Sequence, residues 1–306
     1  LGLGGGDPLL PEIQDEISPH LQIYNLRGAM LGLKNMKRKP ALSPFSLVFL
    51  GFILNLSGVL LSPAGAESRY QGGPVKNGAT LTGKVVFKGK VPEPRPFGLI
   101  VYPDIELCQR ISDGQGRRLI RDFSVSPDQG FKNVVIVIED VKSGKPFASS
   151  GPNFTIKDCE FLPFRTVVRD GQEMNFKNLD NVFHDIQTYV IEGSKRGKRI
   201  FDRPALPNAR MSAKVKLPGK GQKVVWVQCG KHSFMQSWAY VIENPYFAIS
   251  NKGGRFSIPD IPPGRYRVTA WHPFMKKREE MVDFKPGETV NLDFLFGAGT
   301  ASQSKD

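Results

Sequence analysis

The chain has 306 residues, 42 Lys and Arg against 29 Asp and Glu, and a formal net charge of +13. Such a length accommodates two hydrophobic cores, and 32 Gly and 24 Pro with little helical periodicity argue against a helical protein and for short strands joined by tight turns. In a cytosolic protein this charge would suggest nucleic acid, but an export signal near the start argues against that partner.

Residues 1–35 carry no core-forming periodicity and read as an unstructured segment upstream of Met36. Residues 36–66 read as a signal peptide. Lys37, Arg38 and Lys39 form its basic start, residues 47–61 its apolar run, and Ala64-Gly65-Ala66 its small-residue cleavage pattern. The mature protein is therefore expected to start at Glu67 and to be periplasmic or otherwise exported, soluble after cleavage. An uncleaved anchor is the alternative, for which the apolar run is short. Three cysteines in an exported chain leave one thiol over. Cys229 is the candidate for it, and Cys108 with Cys159 is the candidate disulfide.

Residues 79–87 alternate as a half-buried strand should, then break at Gly89 and at prolines 92, 94 and 96. Residues 133–139 are apolar enough for a central strand. Gly151-Pro152 marks a break, after which strands are expected at 166–169, 173–177, 223–229 and 237–242. Further strands are expected at 246–249, 255–258, 265–271 and 289–295, separated by Gly253-Gly254, Pro262-Pro263-Gly264 and Pro286-Gly287. Residues 298–306 read as a disordered tail.

The motif Cys229-Gly230-Lys231-His232-Ser233-Phe234-Met235 puts a thiolate, an imidazole and a thioether on one short loop between two strands. Soft sulfur donors select copper(I), and imidazole suits both copper oxidation states. Zinc would gain little from the methionine. His184 is the other histidine that follows a strand and turn nearby, so His184, Cys229, His232 and Met235 are the candidate ligands of one type 1 copper ion, with Asp185, Lys231 and Phe234 around them.

The loop resembles that of the cupredoxins. Two residues between Cys and His and two between His and Met match amicyanin, a relative of plastocyanin, and the likeness covers residues 152–243. It implies a Greek-key β-sandwich, with His184, Cys229 and His232 as equatorial ligands, Met235 as the axial one, and a solvent-facing His232 edge rimmed by Phe234. The family usually has Asn where this chain has Asp185. A carboxylate near the thiolate would stabilise copper(II), whereas one facing solvent would change little. Residues 246–268 resemble the carboxypeptidase regulatory-like domain, a transthyretin-like β-sandwich. Its opening strands are matched at 82–85 and 133–137, which implies that residues 77–145 and 245–297 form one sandwich with the copper domain, 152–243, inserted. The mature chain also resembles exported methylamine utilisation protein-like chains, through Pro245-Tyr246-Phe247 and Trp271-His272. The expected fold class is all-β.

Residues 67–306 contain three histidines, too few for the multi-histidine clusters of copper oxidases once two are used. No CxxCH or HExxH motif is present, and four protein ligands leave no open position for a substrate. The expectation is therefore not an enzyme but a carrier of single electrons between periplasmic redox partners. A copper-binding or delivery protein without a redox partner and a metal-free structural envelope protein are the alternatives. Basic residues 195, 196, 198, 199, 203 and 210, and again 276–278, are expected to be solvated loops or to steer toward an acidic redox protein such as a cytochrome or dehydrogenase. His272 is read as structural or as a partner contact, apart from the site.

Overall fold

The computed structural model describes residues 70–193 and 195–297, and not the side chain of Cys108. The upstream segment, the signal peptide and the C-terminal tail expected from the sequence lie outside the described residues, as does the Cys108 half of the candidate disulfide. No helix among the described residues is long and apolar enough to cross a membrane.

The fold is all-β. Its strands are β1 (Gln71–Gly72), β2 (Ala79–Lys88), β3 (Arg95–Gly98), β4 (Arg117–Ile120), β5 (Val135–Ile138), β6 (Ser143–Gly144), β7 (Asn153–Lys157), β8 (Glu160–Leu162), β9 (Arg165–Val168), β10 (Glu173–Asn178), β11 (His184–Glu192), β12 (Lys195–Ala205), β13 (Arg210–Lys214), β14 (Val224–Cys229), β15 (Gln236–Val241), β16 (Phe247–Ile249), β17 (Arg255–Ile261), β18 (Gly264–His272), β19 (Met275–Phe284), β20 (Thr289–Asn291) and β21 (Phe294–Gly297). One short helix, α1 (Ile105–Arg110), follows a 3-10 turn at Leu99–Val101.

Two sheets, in the orders β16-β5-β18-β19 and β17-β2-β20 with β21 also on β2, enclose one core built from Leu81, Val85, Phe131, Ile136, Ile258 and Phe296 among others. Two more, β13-β10-β7-β8 and β12-β11-β14-β15-β9, enclose a second core around Phe154, Phe161, Phe176, Ile186, Val225 and Val227. In chain order the strands thus leave the first sandwich after β5, build the second, and return at β16.

Alternation along four strands joins the two sandwiches, because successive side chains point to opposite faces. In β5, Ile136 and Ile138 face the first core, while Val135 and Val137 face outward to a third cluster. In β14, Val225, Val227 and Cys229 face the second core, while Trp226 joins that same third cluster. Trp238 and Tyr240 of β15 and Trp271 of β18 complete it. All four residues of β5 are buried, as expected of a strand covered on both sides.

Residues 97–111 depart from the sequence expectation. They lie inside the 77–145 segment assigned to the first sandwich, yet Phe97, Leu99, Leu107 and Ile111 pack into the second core. The β3–β4 hairpin and α1 therefore sit over the end of the second sandwich that carries the candidate ligands. The basic runs also differ, since residues 195–203 and 276–278 lie on strands β12 and β19, each at the edge of its sheet.

His272 is fully buried between the sandwiches, so it makes no contact with an outside partner. Its Nε2 lies 3.3 Å from Arg165 Nη2, and its ring packs on Phe131. Burial and the adjacent guanidinium push its pKa well down, which keeps it neutral.

Candidate metal centre

Register brings the first two donors together. β11 and β14 are antiparallel neighbours with Ile186 opposite Cys229. His184, two residues before Ile186, shares its face, so the imidazole and the thiol both enter the second core. His184 Nδ1 lies 3.8 Å from Cys229 Sγ.

The loop 229–235 folds back on itself to add the second imidazole. Met235 N–H donates to the His232 carbonyl at 2.9 Å, and Cys229 N–H donates to the Met235 carbonyl at 3.2 Å. His232 Nδ1 thereby comes to 3.9 Å from Cys229 Sγ. The two imidazole centroids are 5.5 Å apart. His184 and His232 are fully buried, and Cys229 and Met235 are each 1 % exposed. One ligand atom from each of Cys159, His184 and His232 also lie within 4.8 Å of one another, so a second sulfur stands beside the two rings. Cys229 Sγ contacts both Nδ1 atoms.

The electrostatics follow from this crowding. Burial opposes ionisation of the Cys229 thiol, but hydrogen bonds from His184 and His232 outweigh it and bring its pKa down to about 6. Burial likewise opposes the charged form of His184, but hydrogen bonds to the Asp180 carboxylate and to the Cys229 sulfur raise its pKa to about 9. Each group thus favours the charged form of the other.

Asp185 meets the centre through its backbone. Its carbonyl accepts from Gly230 N–H at 2.8 Å, and its own N–H donates to the thiolate. Its carboxyl turns aside, with Oδ2 accepting from Gln187 Nε2 at 2.7 Å. Burial and a hydrogen-bonded Asp202 raise its pKa. A Cβ on Gly230 would press on the Asp185 carboxylate and the Gln187 amide, so a larger residue there would turn these side chains aside.

The expected solvent-facing edge of His232 is absent, and Phe234, at 2 % exposure, forms no rim. The reason is the segment after β3. Tyr102 packs edge-on to Phe234 at 5.0 Å and its hydroxyl lies 2.7 Å from Ser233 Oγ. Lys231 Nζ binds Asp104 Oδ2 at 2.9 Å. Lys231 therefore fastens this cap to the ligand loop instead of standing open to a partner.

Sequence reasoning missed two residues that the fold brings to the rings. Asp180 Oδ2 lies 3.0 Å from His184 Nε2, and Asp104 Oδ2 lies 3.5 Å from His232 Nε2. The four-residue spacing of Asp180 to His184 was a readable signal. Nothing local links Asp104 to His232, 128 positions away.

No family model matches the chain. No curated protein matches it. Solved structures similar to it include a purple cupredoxin from Nitrosopumilus maritimus (18 % identity, 30 % of this chain and 99 % of that one, TM-score 0.25). Others are amicyanin from Paracoccus versutus (14 % identity, 35 % and 97 %, TM-score 0.24) and a copper-containing nitrite reductase from Thermus scotoductus (17 % identity, 33 % of this chain and 24 % of that one, TM-score 0.25). Each likeness spans about a third of this chain, so the functional reading rests on the geometry above.

Proposed function

We propose that this chain is an exported blue-copper protein that carries single electrons, with His184, Cys229, His232 and Met235 as the residues that would hold the ion. The observation that carries the reading is the convergence of Cys229 Sγ with two imidazole Nδ1 atoms at 3.8 and 3.9 Å in a buried pocket. The donor set fits copper, because one thiolate, two imidazoles and a thioether serve both of its oxidation states. When bound, the ion supplies reversible one-electron chemistry. The chain's own part is to hold the thiolate, keep water out and fix both rings, which limits rearrangement between oxidation states. We take the chain to be a carrier and not an enzyme, with an acidic redox protein as partner in the periplasm. The first sandwich is then its regulatory-like scaffold.

A second reading, a copper-binding or delivery protein, draws support from the covered His232 edge and from the second sulfur, that of Cys159, near the rings. Voltammetry of the copper-loaded chain separates the two. A carrier gives a reversible one-electron wave with copper retained in both states. Copper(I) that passes readily to a chelator, without a reversible wave, supports delivery instead.

A further inference from the structure

A histidine that offers one ring nitrogen to a metal presents an N–H on the other, and the acceptor of that proton sets the tautomer, the ring orientation and the basicity of the ligand. Here both imidazoles turn Nδ1 toward Cys229 Sγ, and both turn Nε2 toward an aspartate. His184 Nε2 is 3.0 Å from Asp180 Oδ2. His232 Nε2 is 3.5 Å from Asp104 Oδ2 and 3.4 Å from the Pro103 carbonyl oxygen.

Both aspartates are held for this position. Asp180 is 3 % exposed, and its carboxylate also accepts Asp158 N–H at 2.7 Å and Cys159 N–H at 2.9 Å. Its own N–H donates to Asn178 Oδ1 at 3.0 Å, and the Asn178 amide is anchored on three backbone carbonyls, those of Val182, Ala205 and Leu206. Asp104 occupies the N-cap of α1, where an Asp normally accepts from the helix's first N–H groups. It makes no such bond, and its φ of 64° is the left-handed conformation that L-residues adopt at a cost. Its carboxylate is spent instead on Lys231 and His232.

We propose that Asp180 and Asp104 are paired positioning residues of the metal centre, with the Asp180 carboxylate and the Pro103 carbonyl beside Asp104 accepting the Nε2–H of His184 and His232 so that each Nδ1 is directed at the ion, and with each aspartate placing negative charge behind a ligand ring. The proposal rests on the copper reading above. Negative charge behind the donors favours copper(II) over copper(I) and lowers the reduction potential. Asp180 has the larger effect, since it is closer and buried, where charges are less screened. The effect of Asp104 is offset by Lys231.

The test compares wild-type full chain with Asp180→Asn and Asp104→Asn, loaded with copper, by voltammetry. Asn keeps one oxygen acceptor for the ring N–H and removes the charge; at Asp180 its amide nitrogen then faces the Asp158 N–H, so that one backbone bond is lost with the charge. Asp180→Asn is expected to raise the potential by a tenfold or larger change in the ratio of copper(II) to copper(I) affinity, about 59 mV for one electron. Asp104→Asn should shift it the same way by less, and copper affinity should fall about 10- to 100-fold for Asp180→Asn. Potentials equal to wild type in both variants, with copper bound, would overturn the charge effect. Nitrogen-15 spectra of the imidazoles in metal-free Cys229→Ala, where no thiolate competes for the Nδ1 proton, give a readout independent of copper at a pH where His184 is neutral. Nε2–H on His184, with mixed tautomers once Asp180→Ala is added, is expected. A His184 that carries its proton on Nδ1 in Cys229→Ala overturns the positioning role. If the wild type takes up no copper, the copper reading fails by itself and the tautomer result still decides this proposal.

Discussion

Cys229 and His184 stabilise one another before any metal arrives, and pH exposes that interaction. The thiol's pKa drops from 9.0 unfolded to about 6 folded, so its share of stability is complete above pH 9 and lost as pH falls through about 6. The imidazole's pKa rises from 6.5 to about 9, so its share is complete below pH 6.5 and lost as pH rises through about 9. The thiol's share grows between about pH 6 and 9 while the imidazole's share fades, so the metal-free protein's stability is expected to stay nearly level across that range and to fall toward pH 9 in Cys229→Ser, where only the fading imidazole share is left. Thermal midpoints across pH measure this, and superimposable profiles for the two proteins would contradict it. At this scale the sequence was informative where donors are local. Cys229, His232 and Met235 share one seven-residue loop, so their spacing is a geometric constraint in itself. Asp104 was illegible because only the packing of the segment after β3 carries it to His232, and the same packing reversed the expectation of an exposed His232 edge.

Between elements, the tightest fit in the centre is the β11 start against the ligand loop. Gly230→Ala would drive a methyl group into Asp185 Oδ2 and Gln187 Nε2, 2.3 and 2.5 Å from the new Cβ. Both atoms end flexible side chains that can turn aside, so we expect a loss of about 1 kcal/mol, the low end for overpacking. Gly73→Ala, with nothing within 4 Å of its new Cβ, serves as control and should change stability by under about 0.5 kcal/mol. Urea unfolding of both variants checks this, and equal midpoints would show that the two loops do not meet as described. β2 and β10 were legible from their alternation of apolar and polar residues, whereas β7 and β11 alternate as well and were not named from the sequence. α1 was not, because six residues barely exceed one turn and leave no periodic stripe. The basic runs were misread as loops for a related reason. Their charges sit on edge strands β12 and β19, where Lys and Arg deter pairing with other sheets.

Across the whole molecule, the two sandwiches meet through aromatic side chains. Trp226 and Trp238 stack at 5.7 Å and 19°, Tyr240 meets Trp271 at 5.3 Å, and Val135 and Val137 close the cluster. Removing one large ring there should cost about 3–5 kcal/mol and act on both sandwiches together. Trp238→Ala is expected to lower the calorimetric midpoint and split a single transition into two. One unsplit transition at the wild-type temperature would show that the cluster does not couple them. The expectation that one sandwich interrupts another came from a family resemblance and not from the strand pattern. What joins them was not legible, since β14 and β15 read as ordinary buried strands until their outward tryptophans meet β5 and β18. The account as a whole depends on a single ion bound through the Cys229 sulfur. Optical and electron-paramagnetic spectra of the full chain titrated with copper(II), beside Cys229→Ser, test that directly. An intense visible band that saturates at one copper per chain and vanishes in the mutant is the predicted result. A wild type that stays colourless, or a mutant that keeps the band, would contradict it.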